Sequence, residues 1–590
     1  MKLKSLFISS ASIAVLAANV SAQEATNYAL ISQDGADNKA IVTQTGKQNS
    51  VGSINGDSRT TAIQAGNKNY ADLTQNGEGN SIGATGTGLT QSGDRNSVAL
   101  TQTQNNNTVG TLSQIGVSNA ATLQNQISVN QGSVNNSTPD DAANVISGIS
   151  QENTINGAVN TVEITQSRDT TGATVADGAA SANRIGRDGE QMIQSGADNG
   201  MELNQVGAAN VIYGIQQNGA GNTLSITQNN GNTTGELIGN AVNSIIQNGD
   251  ANTAGIIMNG DGNGNGGLSA RFASGLGIAG GAISQNGDSN IADWNVRGDN
   301  NQFGIFQSGD LNRAGIAQIT GDNNETAFSQ DGSANIITIT NISNNNIDLG
   351  IGQSGDANTV TIGVLNGDGI AMQLLQYGSN SMNFDVNGAG STVLAQQGSS
   401  DADGTNNAMT VDIIGAGNST DYDNTNDTSN RLAQFGAQNV LTLSLTGADN
   451  LFKTEQSGTA NSATVAITGA QNKLALSQLQ SDNVYDLSVT GAQNSIVGIQ
   501  TGLANELFAE LHGGGNILNT AQIGNNNLMD LTINDGNGRF NLTQEGNHNV
   551  LVSTIRGSNQ TNMQTITQSG DYNVAHFEQN GAGNSISARQ

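Results

Sequence analysis

The sequence predicts an all-β chain, a parallel β-solenoid of about two dozen strand–arc–strand coils with two facing parallel sheets and cross-β-like Asn and Gln ladders. Three observations lead there. The hexapeptide Gln-x-Gly-x-x-Asn occurs twenty-one times in 590 residues. Over long stretches it keeps an 11- and 22-residue beat, as in Asn439, Asn450, Asn461, Asn472, Asn483, Asn494, Asn505, Asn516 and Asn527. Between these asparagines, apolar residues recur at every second position. A fixed period in this range marks a repeat architecture, in which each unit buries its apolar face on its neighbours.

The strands come first. Asn461, Ala463, Val465 and Ile467 share one parity, and Ser462, Thr464, Ala466 and Thr468 hold the other. The next unit sets Asn472, Leu474, Leu476 and Gln478 against Lys473, Ala475 and Ser477. Alternation at period two belongs to a strand with one buried face.

Arcs follow the strands, as in Thr468-Gly469-Ala470-Gln471 and Leu479-Gln480-Ser481-Asp482. Most carry Gly at the second place, where the chain turns at positive φ without a steric penalty. Gly309, Gly332, Gly355, Gly436, Gly458 and Gly502 are the expected arc glycines.

A coil is two such units. One strand ends in Gln and the other in an aliphatic residue, as in Gln456 against Ile467 and Gln478 against Val489. This makes 22 the true repeat, marked by Gln434, Gln456, Gln478, Gln500, Gln522 and Gln544. A second stretch runs through Gln285, Gln307, Gln330, Gln353 and Gln376 at intervals of 22 or 23. Arcs absorb a one-residue drift, whereas a slip inside a strand would turn every side chain to the other face. With about 4.8 Å per coil, the array would form a rod on the order of 110 Å long.

Inward amides need partners, because an unpaired buried amide costs a few kcal/mol. Stacking supplies them: each amide donates to its equivalent in one neighbouring coil and accepts from the other. Segments near 127–150, 167–190, 264–282 and 398–430 break the count and include Pro139, so they are expected as loops extruded from the solenoid.

Composition narrows the function. A net charge of −29 with scattered basic residues argues against nucleic acid as a partner. The chain has no Cys, which excludes disulfides and thiolate metal sites. Lys2 and Lys4, the apolar run from Leu6 to Ala18 and the small residues Val20-Ser21-Ala22 read as a secretory signal over 1–22. The mature chain, 23–590, then begins at Gln23, and no later segment is apolar for long enough to span a bilayer as a helix.

Catalytic, cofactor and metal sites are all expected to be absent. His512, His548 and His576 read as surface residues, and the arc carboxylates, as in Gly309-Asp310 and Gly355-Asp356, as solvated turn residues. Asn259-Gly260-Asp261-Gly262-Asn263-Gly264 occurs once rather than in tandem. Asp421, Asp423 and Asp427 are followed by Leu432 where a calcium loop needs Glu.

Gln307-x-Gly309-x-x-Asn312-x-Ala314-x-x-x-Gln318 resembles the curlin repeat, and the run from Gln33 to Gln44 matches the same pattern position by position. Curlins are subunits of curli, the extracellular functional amyloid of Gram-negative biofilms. The resemblance implies a secreted, cell-surface structural protein that polymerises with itself, aided by a nucleator subunit and an outer-membrane secretion pore. It further implies binding of host matrix proteins and amyloid dyes by the fibre. The repeat runs to Gln579, Gly581 and Asn584, so growth is expected end to end through open coil edges. The alternative is a secreted β-solenoid adhesin that does not polymerise.

Overall fold

The computed structural model describes residues 27–55, 58–83, 88–134, 144–169, 174–175, 182–186, 190–230, 236–399, 404–421, 429–534, 536–556 and 561–590. The expected signal, 1–22, lies outside them. Two compact units are present: Met1–Leu268 with Ile278–Leu311, and Ser269–Gly277 with Asn312–Gln590. Both are β-solenoids of stacked parallel strands.

In the first unit, one face stacks Ile31–Asp34, Ala62–Ala65, Leu89–Ser92, Thr108–Ile115, Asn144–Asn153, Met192–Ala197, Val211–Ala220, Ala241–Asn248, Ala282–Asn286 and Gln302–Ser308. The other stacks Lys39–Lys47, Tyr70–Glu78, Asn96–Thr103, Asn125–Val134, Asn160–Asp169, Gly200–Gly207, Thr223–Asn229, Thr253–Asn259 and Ile291–Arg297. Their register pairs like with like: Gln102 opposes Gln131, which opposes Gln166. Buried and exposed residues alternate along each strand, as the period-two pattern requires.

In the second unit, one face is a regular stack, from Glu325–Asp331 and Asp348–Ser354 through Leu451–Thr459 and Lys473–Leu479 to Met563–Ser569 and Ser585–Arg589. The opposite face starts as strands, Arg313–Thr320 and Ile336–Ile342, and narrows to Thr359–Thr361 and Val364–Leu365. Beyond Leu365 it consists mainly of single bridges such as Leu443 with Val465 and Asp486 with Phe508. Among the described residues, strand pairing on this face returns at Val550–Val552 with Val574–His576.

On this face bonds run both ways: Thr468 N–H donates back to Leu445 O at 2.8 Å, Thr490 N–H to Ile467 O at 2.8 Å and His512 N–H to Val489 O at 2.9 Å, while Val440 N–H donates forward to Asn461 O at 2.8 Å and Val465 N–H to Asp486 O at 3.2 Å. Thr464, Val465 and Thr490 sit at φ 64, 85 and 72°. A non-glycine residue held there costs about 1–3 kcal/mol. Loss of glutamine alone does not bring this change, since Arg313–Thr320 and Ile336–Ile342 stay full strands with Ile319 and Ile342 in the inward place. In the first unit Gln102 donates to Ser81 O and Asn107 O as well as to the next Gln, clamping strand and arc together.

Of the segments expected as insertions, 127–134 and 144–150 lie within Asn125–Val134 and Asn144–Asn153; the stretch between, with Pro139, lies outside the described residues. In 167–190, Thr174–Val175 pairs with Glu236–Leu237, away from the stack. Within 398–430, Gly404–Thr405 pairs beside Gly378–Ser379, while 422–428 is outside the described residues.

The 264–282 segment carries the short helix Arg271–Ser274. In the second unit, Glu325 accepts from Ser269 N–H and Oγ and from Ala270 N–H, each at 2.6 Å. Asp348 accepts from Phe272 N–H and Ala273 N–H at 2.8 Å each, and Phe272 is buried. Burial of Asp348 pushes its carboxyl up, against these two hydrogen bonds, which act to lower it.

Candidate functional site

The interior of each coil is where the sequence concentrates its chemistry, and amides fill it. In the first unit, Gln33, Gln64, Gln91, Gln114, Gln151, Gln194, Gln217, Gln247, Gln285 and Gln307 form one ladder. Each Nε2 donates to the Oε1 of the next at 2.5–3.0 Å. The sequence separation swings from 22 to 43, yet no rung is missed. Gln44, Gln75, Gln102, Gln131, Gln166, Gln205 and Gln228 form a second ladder on the opposite face at 2.7–2.9 Å. It stops where the next rungs are Met258 and Val296.

The second unit has one glutamine ladder. It runs through Gln330, Gln353, Gln376, Gln397, Gln434, Gln456, Gln478, Gln500, Gln522, Gln544, Gln568 and Gln590 at 2.7–2.9 Å. Facing it is an apolar column: Ile319, Ile342, Leu365, Val386, Ile413, Leu445, Ile467, Val489, Leu511, Ile533 and Ile555, each at most 2% exposed. Gln318, the last residue of the curlin-like run from Gln307, is only half-buried; Ile319 takes the interior position.

The asparagines that stand eleven apart in sequence form two columns, because each bonds to its equivalent one whole coil away. Asn439, Asn461, Asn483, Asn505 and Asn527 make one. Asn450, Asn472, Asn494 and Asn516 make the other. In each step the backbone N–H of the later Asn donates to the Oδ1 of the earlier one. In the first column Nδ2 also reaches forward to the arc carbonyl of the next coil, as Asn439 does to Gly458 O at 3.0 Å and Asn483 to Gly502 O at 2.9 Å, whereas in the second Asn450 and Asn516 bond Gly447 O and Gly513 O of their own arcs.

This explains the glycine. Gly309, Gly332, Gly355, Gly436, Gly458 and Gly502 all have φ between 93 and 127°. A Cβ at Gly436 would strike the carbonyl oxygen of Gly458, and one at Gly458 that of Gln480. The arcs also hold a second left-handed residue, immediately before each Asn. Leu311, Ala334, Ala357, Gln438, Asp449, Ala460 and Ala504 lie at φ 52–61°. No β-branched residue stands at these positions, and that was the available signal in the sequence.

The arc carboxylates do more than face solvent. In the first unit, Ala220 N–H donates to Asp250 Oδ1, Asp250 N–H to Asp288 Oδ1, and Asp288 N–H to Asp310 Oδ1, at 2.7–2.8 Å. In the second, Ser333 N–H donates to Asp356 and Asn547 N–H to Asp571, both at 2.7 Å. The residue after the arc glycine thus forms a further inter-coil ladder. Its sequence signal is the frequency of Asp and Asn at that place.

Each element of Gln-x-Gly-x-x-Asn therefore bonds one coil to the next, and every bond has a direction. Glutamine donates forward and asparagine accepts from ahead. A family model for this repeat, described as the curlin associated repeat, matches residues 25–51, 298–332 and 562–590. The chain carries the curlin associated repeat. Curlin repeats belong to a structural, non-enzymatic family. A search of curated proteins found no match. Among the described residues, no helix is long and apolar enough to cross a membrane, and no group of three or more His, Asp or Glu is placed to hold a metal ion.

Proposed function

We propose that this chain is a structural subunit of a curli-like extracellular amyloid, serving biofilm matrix, cell aggregation and surface adhesion. In this reading 1–22 is a secretory signal, the mature chain is exported to the surface of a Gram-negative cell, and a nucleator subunit and an outer-membrane pore act before assembly. The inward Gln and Asn ladders and the arc glycines are the working parts.

One observation supports this above the others: the ladders are polar and self-complementary. A coil offers Nε2 donors toward one neighbour and Oε1 acceptors toward the other, as Gln478 does between Gln456 and Gln500. Any coil edge of this kind is a template for another coil, including one from a second copy. Growth then adds the same bonds that hold each unit together, and the fibre grows end to end.

Electron microscopy with thioflavin binding on the purified mature chain tests the proposal. Long unbranched fibres that bind the dye are expected. Discrete rods of one molecule's length would instead support a non-polymerising adhesin.

A further inference from the structure

The outer sheet faces carry two pairs of like charges on adjacent rungs. In the first unit, Glu163 and Glu202 are directly paired in register and both exposed. They line a shallow groove of about 610 Å³ with Ser128, Ser225 and Asp293. Among the described residues neither glutamate has an ion-pair partner. In the second unit, Arg431 and Lys453 stand one position before the paired Leu432 and Thr454, so they occupy adjacent rungs. They border a groove of about 420 Å³, lined also by the exposed Glu455, whose floor includes Ala475, Val497 and the exposed Ile499, so two cations there outweigh one carboxylate. Like charges directly opposite each other on neighbouring strands destabilise a sheet.

Both cations are held in place. The Arg431 guanidinium bonds to Gln396 Oε1 and lies 5.8 Å from the Phe435 ring centre. Lys453 Nζ donates to Asn430 Oδ1 at 3.0 Å, and among the described residues the buried Asn430 Nδ2 finds no acceptor.

We infer that these faces bind each other between copies: the Arg431/Lys453 rungs of one chain take the Glu163/Glu202 rungs of a second. The match is in period as well as sign. Neighbouring strands in any such sheet are about 4.8 Å apart, so two cations one rung apart meet two carboxylates one rung apart. With a net charge of −29, most of the surface repels another copy, and this pairing sets where side-by-side contact forms. The contact is lateral and does not depend on growth through coil edges.

The test uses full-length mature chain, sedimentation velocity and electron microscopy, with circular dichroism to confirm that each variant is folded. At low salt, wild-type chains associate side by side, and about 0.5 M salt disperses them. R431E/K453E and E163K/E202K chains each associate on the order of tenfold more weakly. An equimolar mixture of the two restores association, since each then presents the charge the other lacks. Unchanged association in both variants, or no rescue by mixing, overturns the inference. So does wild-type chain that binds soluble polyuronate at this groove without binding itself. Loss of fibre length with bundle width retained would count against growth through coil edges while leaving the lateral contact standing.

Discussion

The two units solve the same interior in different ways. The first stacks glutamine on both faces through most of its length, from Gln33 and Gln44 onward. The second stacks glutamine on one face and Ile, Leu or Val on the other. A column is stable when it is all amide or all apolar, because a buried amide finds its partner only in an amide one rung away. Places where the two kinds meet show the cost. Gln228, last of its ladder, keeps the backbone bond of the inner rungs, Nε2 to Val211 O at 3.3 Å, but meets Met258 where they meet another Gln. Gln579, the next rung after Ile555, is 3% exposed, and among the described residues neither its Nε2 nor its Oε1 has a partner.

The sharpest way to break this comparison is to place an amide inside the apolar column. Val489→Gln, between Ile467 and Leu511, should cost on the order of 2–7 kcal/mol, read as lost hydrogen-exchange protection in the coils around it. The converse change in the first unit is smaller. Gln205→Leu strands the Oε1 of Gln228 and removes the acceptor of Gln166, and should cost about 1–3 kcal/mol by the same measurement. At Gln579 the identical substitution should have the opposite sign: Gln579→Leu in the unassembled chain should stabilise its coil by about 1–2 kcal/mol. Equal effects at Gln205 and Gln579 would dissolve the distinction between the columns.

A milder probe is Tyr485, fully buried in the second unit, with its hydroxyl donating to Ser477 O at 2.8 Å. Burial pushes its phenol well up, so the donor stays protonated. Gly498 provides the space, since a Cβ there would lie 3.2 Å from the ring. Tyr485→Phe should cost about 1 kcal/mol in local protection, because Ser477 O loses its donor.

The smallest effect concerns pH. The Asp348 carboxyl is raised in the folded unit, mainly by burial, with Glu325 raising it further and Arg271 opposing. Its contribution to stability is therefore full below the usual carboxylate range and is lost as pH rises through the raised value. Asp348→Asn keeps an acceptor for the 269–277 strap and removes that loss. Protection of the strap in wild type should thus fall relative to the variant as pH rises above about 4.

Much of this was legible in the sequence. Parity placed Gln456, Gln478 and Asn461 inside, and the recurrent glycine marked the arcs. Constant spacing marks the even stretches but not the rungs from Gln64 to Gln247 or from Gln75 to Gln228, where insertions stretch the interval while the rung survives. One beat of eleven concealed two asparagine columns, because periodicity reports spacing along the chain and bonding follows the coil. The turn from Gln318 to Ile319 is a parity shift within one strand, and only packing decides it. The backbone of the second unit's apolar face beyond Leu365 left no local signal: Thr464 and Val465 have strong strand propensity and lie at positive φ.

Seeded elongation tests the central claim, that polar amide ladders make a coil edge a template. Mature chain would be compared with the same chain carrying a charged, non-repeating cap fused after Gln590, followed by thioflavin from added fibre seeds. The ladders predict rapid elongation of the uncapped chain and its loss in the capped one. Equal elongation of both would contradict them.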